Sequence, residues 1–293
     1  DEFARLRIVN HHTNIVHMEK NGDVLLDLPV AESSEDRLTD KSCLNIESIV
    51  EFADCVDIED VRECVGEQIR CNMAIAEEGL KGNWGANVGS VLLARQGGLL
   101  TKKAAAYAAA GSDARMSGCE MPVSILSGSG NQGITASVPV VVYAKELGKT
   151  HDELLRALIV SDLITIHLKT GIGCLSAYCG AISAGCGCGC GICYLMGGRY
   201  YEVAHTLVIS VAILSGTICD GAKPSCAAKI AMAVEAGIMG FEMNRAGREF
   251  VGGDGIVQKG IENTIRNVGR LARDGMGETD RQIIRIMLGE GNP

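Results

Sequence analysis

The nine residues GCGCGCGIC, 185–193, hold cysteines at positions 186, 188, 190 and 193, and Cys179 precedes them in SAYCGA. Thiols at this density could ligate a metal, relay electrons or pack as small apolar groups. On a helix through 179–193, Cys179, Cys186, Cys190 and Cys193 share one face and Cys188 points away. At about 1.5 Å per residue those four span roughly 21 Å, too far to meet at one cluster. Only Cys186 with Cys190, or Cys190 with Cys193, could share an ion. The alternating Gly185, Gly187, Gly189 and Gly191 each cost about 1 kcal/mol against alanine in a helix. Close approach of neighbouring helices is the expected compensation, with cysteine acting as a small buried hydrophobe.

Two further stretches have a different character. In SGSGNQGITAS, 127–137, small residues run straight into a helical segment. Free backbone N–H groups at such a start make a carboxylate or phosphate site, and Asn131 and Gln132 add side-chain donors. A plain glycine-rich turn is the competing reading. Pro139, inside the helix that follows, is expected to kink it. In CDGAKPSC, 219–226, Cys219, Asp220 and Lys223 cluster directly after the apolar run TLVISVAILSGTI. Buried elements that end in a compact charged loop deliver side chains to sites. HLKTG, with His167 and Lys169, and HHTN, His11 to Asn14, give similar polar punctuation. Taken singly, each is equally a surface charge or a satisfied core histidine.

The elements that must position these groups can be read from periodicity. Residues 5–28 read as β, with a hairpin turn at Asn21 and Gly22, where both central positions want φ > 0. So small a sheet is marginal, which places its partner strands upstream. After an acidic linker, 31–42, the pattern becomes helical. Val61, Val65 and Ile69 fall one turn apart, TKKAAAYAAAGSDARM is a strong helix former, and Thr150 with Glu153 forms a capping box. Further helices are expected at 176–196, 201–216, 225–237, 255–273 and 279–289, with Asp254 and Thr279 as N-caps. The expected fold is α+β and predominantly α-helical. Residues 1–35 would be a β-hairpin remnant of a truncated N-terminal mixed domain, and 36–293 a helical domain with buried Gly/Ala/Cys-rich central helices.

Composition narrows the function classes. A formal net charge of −9 argues against nucleic acid and anionic membrane surfaces. Gly171 to Gly198 is uncharged and long enough to span a bilayer, but its Gly, Ala, Ser and Cys content suits a buried helix better. Thirteen cysteines, with no secretory signal in residues 1–30, fit reduced thiols and a cytoplasmic location.

HTNIV, SDARM, SGSGNQGITASVPV, HLKTGIGCLSAYCGAISAGCG, CDGAKPSCAAKI and GGDGIVQKGIENTI occur in this order along nearly the whole chain. Together they resemble the L-cysteine desulfidase family, the UPF0597 group, related to the iron–sulfur L-serine dehydratase alpha chain. The resemblance implies conversion of L-cysteine to pyruvate, ammonia and sulfide by an oxygen-sensitive 4Fe–4S cluster, without pyridoxal phosphate. Of the family's three cluster cysteines it places two at Cys179 and Cys219. The third belongs to a Gly-Cys-Thr-Glu-Pro motif absent from this sequence, which implies a chain beginning after it or a member that lost it. Either way, this chain alone is not expected to assemble the cluster. The resemblance also places His12, Thr13, Asn14, Ser127, Gly128, Ser129, Gly130, Asn131 and Gln132 around the substrate. Lys169, Asp220 and Lys223 fall to proton transfer or charge pairing. The implied partners are a small amino acid, the missing N-terminal segment and a second copy in a homodimer, with no nucleic acid or membrane.

Rival readings stay open at this level. A serine dehydratase of the same iron–sulfur class or an inactive paralogue would share every motif. A pyridoxal-phosphate lyase could use SGSGNQG with Lys102 or Lys103, although the usual lysine context and a tetraglycine loop are missing. A membrane or scaffold protein could be built on 171–218.

Overall fold

The computed structural model describes residues 2–9, 13–30, 40–173 and 176–290. It divides into two compact units, Asp1–Ser42 and Cys43–Pro293. Most of the acidic linker, together with His12, lies outside the described residues.

The first unit is an antiparallel sheet of β1 (Ala4–Ile8), β2 (Ile15–Lys20) and β3 (Asp23–Asp27), in that order. Asn21 and Gly22 turn β2 into β3 with φ of 51° and 92°, the left-handed pair that Asn-Gly supplies most cheaply. Asn21 also pins the start of β1, because its Oδ1 accepts the Phe3 N–H at 2.7 Å. Leu6, Met18 and Leu26 sit opposite one another across the three strands.

The second unit is helical: α1 (Ile46–Cys55), α2 (Ile58–Lys81), α3 (Val88–Gln96), α4 (Leu100–Met116), α5 (Gly130–Glu146), α6 (His151–Ile172), α7 (Gly180–Leu195), α8 (Tyr200–Leu214), α9 (Cys226–Arg245), α10 (Ile261–Arg270) and α11 (Gly277–Met287). The fold is thus α+β and mainly helical. Thr150 and Glu153 form the reciprocal capping box at the start of α6, and α5 runs unbroken through Pro139.

At the centre lies α7, packed by α5, α6, α8 and α9. Its glycines form two rows one turn apart, on opposite sides. A Cβ on Gly185 or Gly189 would lie 2.5 Å from the Ala233 carbonyl oxygen or 2.3 Å from that of Gly237, both on α9. On Gly187 or Gly191 it would lie 2.5 Å from the Ser161 oxygen or 2.8 Å from that of Ala157, both on α6. Backbone therefore packs on backbone along both sides, offsetting the helix propensity that glycine forfeits. Cys186, Cys188, Cys190 and Cys193 fill the remaining space and are wholly buried. Among the described residues no helix is long and apolar enough to cross a membrane.

Three expectations need correction. The helix predicted over 255–273 begins only at Ile261 and gives way to a π-helical turn at Leu271–Gly275. Gly253, Gly255 and Gly260 take φ of 111°, 62° and 86°, and so hold the preceding segment as a loop. Asp254 caps no helix; its Oδ2 accepts the Val251 N–H within that loop. Thr279 lies inside the first turn of α11, whose N-cap is Met276.

Candidate active site

Cys179 and Cys219 come from different segments that meet in a minimal antiparallel pairing. Tyr178 bridges Ile218, the Cys179 N–H donates to the Thr217 carbonyl at 3.2 Å, and the Cys219 N–H donates to that of Ala177 at 2.6 Å. Tyr178, 2% exposed, anchors the pair in the core. Cys179 is not in the body of α7, as the helical reading of 179–193 assumed; it is the N-cap, in extended conformation. That frees its side chain to face Cys219. The two thiols share a hydrogen bond that makes Cys219 the more acidic partner, aided by the Gly221 N–H and by Lys229 and Lys223. The same hydrogen bond, together with burial, pushes Cys179 up.

Behind the pair stands a small ionic cluster. Asp220 pairs with Lys223 and, at 2.6 Å, with Lys229, which also donates to the Ile218 carbonyl at 2.9 Å. These ammonium groups, Lys223 first, hold the Asp220 carboxyl down at about 2. Lys229 escapes a sequence reading because it sits one turn inside α9 with nothing unusual around it. Lys169, proposed alongside Asp220 and Lys223, lies buried near the end of α6. His167 on the same helix hydrogen-bonds Glu262 through Nε2 at 2.7 Å, while its Nδ1 is buried without a partner.

The glycine-rich segment reaches the same place. Ser127 and Gly128 turn with φ of 46° and 85°, and α5 begins at Gly130 after Ser129, whose side chain makes no capping bond. The first N–H groups of α5 therefore stay available to a ligand. Asn72 of α2 fixes the approach: its Oδ1 accepts the Ser124 N–H at 2.9 Å and its Nδ2 donates to Ser137 Oγ at 3.0 Å. Gln132 links this segment to the thiols, because a Cβ on Gly180, next to Cys179, would lie 2.7 Å from the Gln132 amide carbon. Arg115, from the end of α4, donates to Asn131 Oδ1 at 3.2 Å and lies against Gly130, where a Cβ would sit 2.5 Å from its Nε. Its only sequence signal is membership of SDARM.

Asp113, two residues before Arg115, turns away from it and accepts the Gly89 N–H at 2.9 Å, capping α3. Burial pushes its carboxyl up to about 6 from the unperturbed 3.8. A folded-state value above the unfolded one means stability present at low pH and lost as pH rises from about 4 through 6. Between about pH 5 and pH 8 this group should cost the protein about 1 kcal/mol. Urea unfolding of Asp113→Asn at both pH values should show that slope removed.

Other predicted groups make contacts of their own. Thr13 and Asn14 belong to the sheet unit, where the Asn14 amide donates to the Val9 carbonyl at 2.8 Å. Lys102 pairs with Glu235 at 2.6 Å and Lys103 with Glu146 at 2.5 Å, so both ammonium groups are engaged away from the thiols and the glycine-rich segment. Cys190 and Cys193 have Cys-x-x-Cys spacing, but both are fully buried and Cys190 Sγ faces the Val203 carbonyl at 3.6 Å. Among the described residues no three His, Cys, Asp or Glu side chains are grouped to hold a metal ion. Because Cys188 only packs, Cys188→Ala is expected to leave iron content and activity unchanged and to cost about 1 kcal/mol in urea unfolding.

The chain belongs to the serine dehydratase alpha chain family, whose sequence model matches residues 12–285. It is 59% identical, over 99% of its length, to a UPF0597 protein of Desulfitobacterium hafniense, and covers 67% of that protein. A UPF0597 protein of Lachnoclostridium phytofermentans is 49% identical over 98% of the chain, which spans 69% of it. Another from Treponema denticola is 45% identical over 96%, the chain again spanning 67%. No solved structure matches the chain.

Proposed function

We propose that this chain carries the lyase site of an L-cysteine desulfidase, which converts L-cysteine and water to pyruvate, ammonia and sulfide. The observation that carries the reading is the pairing of Cys179 with Cys219 beside Gln132 and the open start of α5. Two adjacent thiols, one of them acidified, suit two of the thiolate ligands of a 4Fe–4S cluster. When bound, such a cluster supplies Lewis acidity toward the leaving sulfur through an iron that the protein leaves open.

The remaining roles fall to the chain's own side chains. Lys229 and Lys223 favour Cys219 as a thiolate, and Asp220 holds both lysines in place. A carboxyl held near 2 is far too acidic to take a Cα proton, so Asp220 is assigned to charge pairing. Lys169 and Lys223 are the proposed proton carriers. Ser127 to Gln132 surround the amino acid. Removal of the Cα proton with loss of sulfide from Cβ leaves 2-aminoacrylate; its imine tautomer takes up water to release ammonia and pyruvate.

The test is an anaerobic assay of the protein carrying this chain, with L-cysteine and L-serine in parallel. Equal amounts of sulfide and pyruvate from L-cysteine are expected. Pyruvate from L-serine alone would assign a serine dehydratase instead, and no product from either would overturn the lyase reading.

A further inference from the structure

Arg115 is half-buried, and burial works against its charge. Among the described residues it forms no ion pair with a carboxylate; its side-chain partner is the Asn131 amide oxygen. The nearby carboxylate that could neutralise it, Asp113, is committed to the start of α3. A guanidinium withdrawn from water without a carboxylate is costly, and a bound anion removes that cost. The group is nonetheless held firmly, by Asn131 Oδ1 and against the bare backbone at Gly130.

One residue further along α5 stands the complementary group. Gln132 is only 4% exposed; its Nε2 donates to the Ser127 carbonyl at 3.4 Å, but its Oε1 is buried with no partner. An orphaned buried acceptor costs about 1–3 kcal/mol unless a ligand supplies a donor. From Arg115 through Gly130 and Gln132 to Gly180 and Cys179 the contacts are continuous. A fork of donors, three helix-start N–H groups and a lone acceptor therefore stand in one row that ends at the thiols.

We infer that Arg115 binds the α-carboxylate of an amino acid while Gln132 Oε1 accepts a hydrogen bond from its α-ammonium. The site then takes zwitterionic α-amino acids and discriminates against the corresponding amines and acids. This deepens the lyase reading, on which it rests for the identity of the site. A carboxylate on Arg115 and an ammonium on Gln132 would leave Cβ and its substituent toward Cys179 and Cys219.

L-Alanine, which has the zwitterion but no leaving group, is the probe, with ethylamine and propionate as its two halves. Calorimetric titration should show L-alanine binding, with ethylamine weaker by about 30-fold or more and propionate by about tenfold. Arg115→Met should weaken L-alanine by about 30-fold or more, with partial recovery in Arg115→Lys, which keeps charge but not the fork. Gln132→Leu should weaken it by about tenfold. The inference is overturned if L-alanine does not bind, or if Arg115→Met binds it as the unaltered protein does. Ethylamine binding as tightly as L-alanine would also overturn it, whether or not any variant folds. Arg115-dependent L-alanine binding without lyase activity would sink the desulfidase reading alone. Sulfide release with an Arg115→Met variant of undiminished L-alanine affinity would sink this inference alone.

Discussion

Cys219→Ser is expected to abolish bound iron and sulfide release together, and Cys179→Ser to do the same. A serine hydroxyl stays protonated where a thiol ionises, and it lacks the soft sulfur donor that iron–sulfur clusters require. Position 219 is the more telling of the two. The Cys179 hydrogen bond, the Gly221 N–H and two lysines all favour negative charge there. A serine would keep the geometry of the Tyr178–Ile218 bridge, which uses backbone only, so the fold should survive. Changes to groups that merely orient metal ligands cost about 10–100-fold, so loss of a ligand should exceed about 100-fold in sulfide release. Iron analysis beside activity separates this from general damage, with Cys188→Ala as the matched control.

The largest expected effect on stability lies at the helix crossing. Gly189→Val places a branched side chain where a single Cβ would already sit 2.3 Å from the Gly237 carbonyl oxygen. Backbone cannot step aside as a side-chain tip can, so α7 and α9 must separate along their length. Overpacking of this kind costs about 3 kcal/mol or more, which should appear as a melting temperature about 10 °C lower. Gly216→Ala is the control, since a Cβ there meets nothing within 4 Å. A Gly189→Val protein that melts with the parent would mean that the glycine rows are not a packing device.

How much of this was legible beforehand depends on whether the cause is local. The Asn21–Gly22 turn, the Thr150–Glu153 capping box and the run of small residues in 127–137 into a helix are written in adjacent residues, and each is present. The glycine rows of α7 were legible as a need for close packing, but not as two opposed rows against different helices. The loop before α10 was misread because helical periodicity in the apolar residues outweighed three glycines whose positive φ only the folded chain reveals. Cys179 as an N-cap likewise depends on the bridge to Ile218, forty residues away. Arg115 and Lys229 were missed for the same reason. Each is an ordinary charged residue in a good helix, and only tertiary folding brings it to the thiols and the open helix start.

The most direct test of the central claim is the visible absorbance and iron content of the whole protein that carries this chain, purified without air. A broad brown shoulder that bleaches in air, with roughly four irons and four labile sulfides per chain, is the predicted result. An iron-free protein with a band near ~420 nm that borohydride removes would contradict it, because that is the signature of a Schiff-base cofactor.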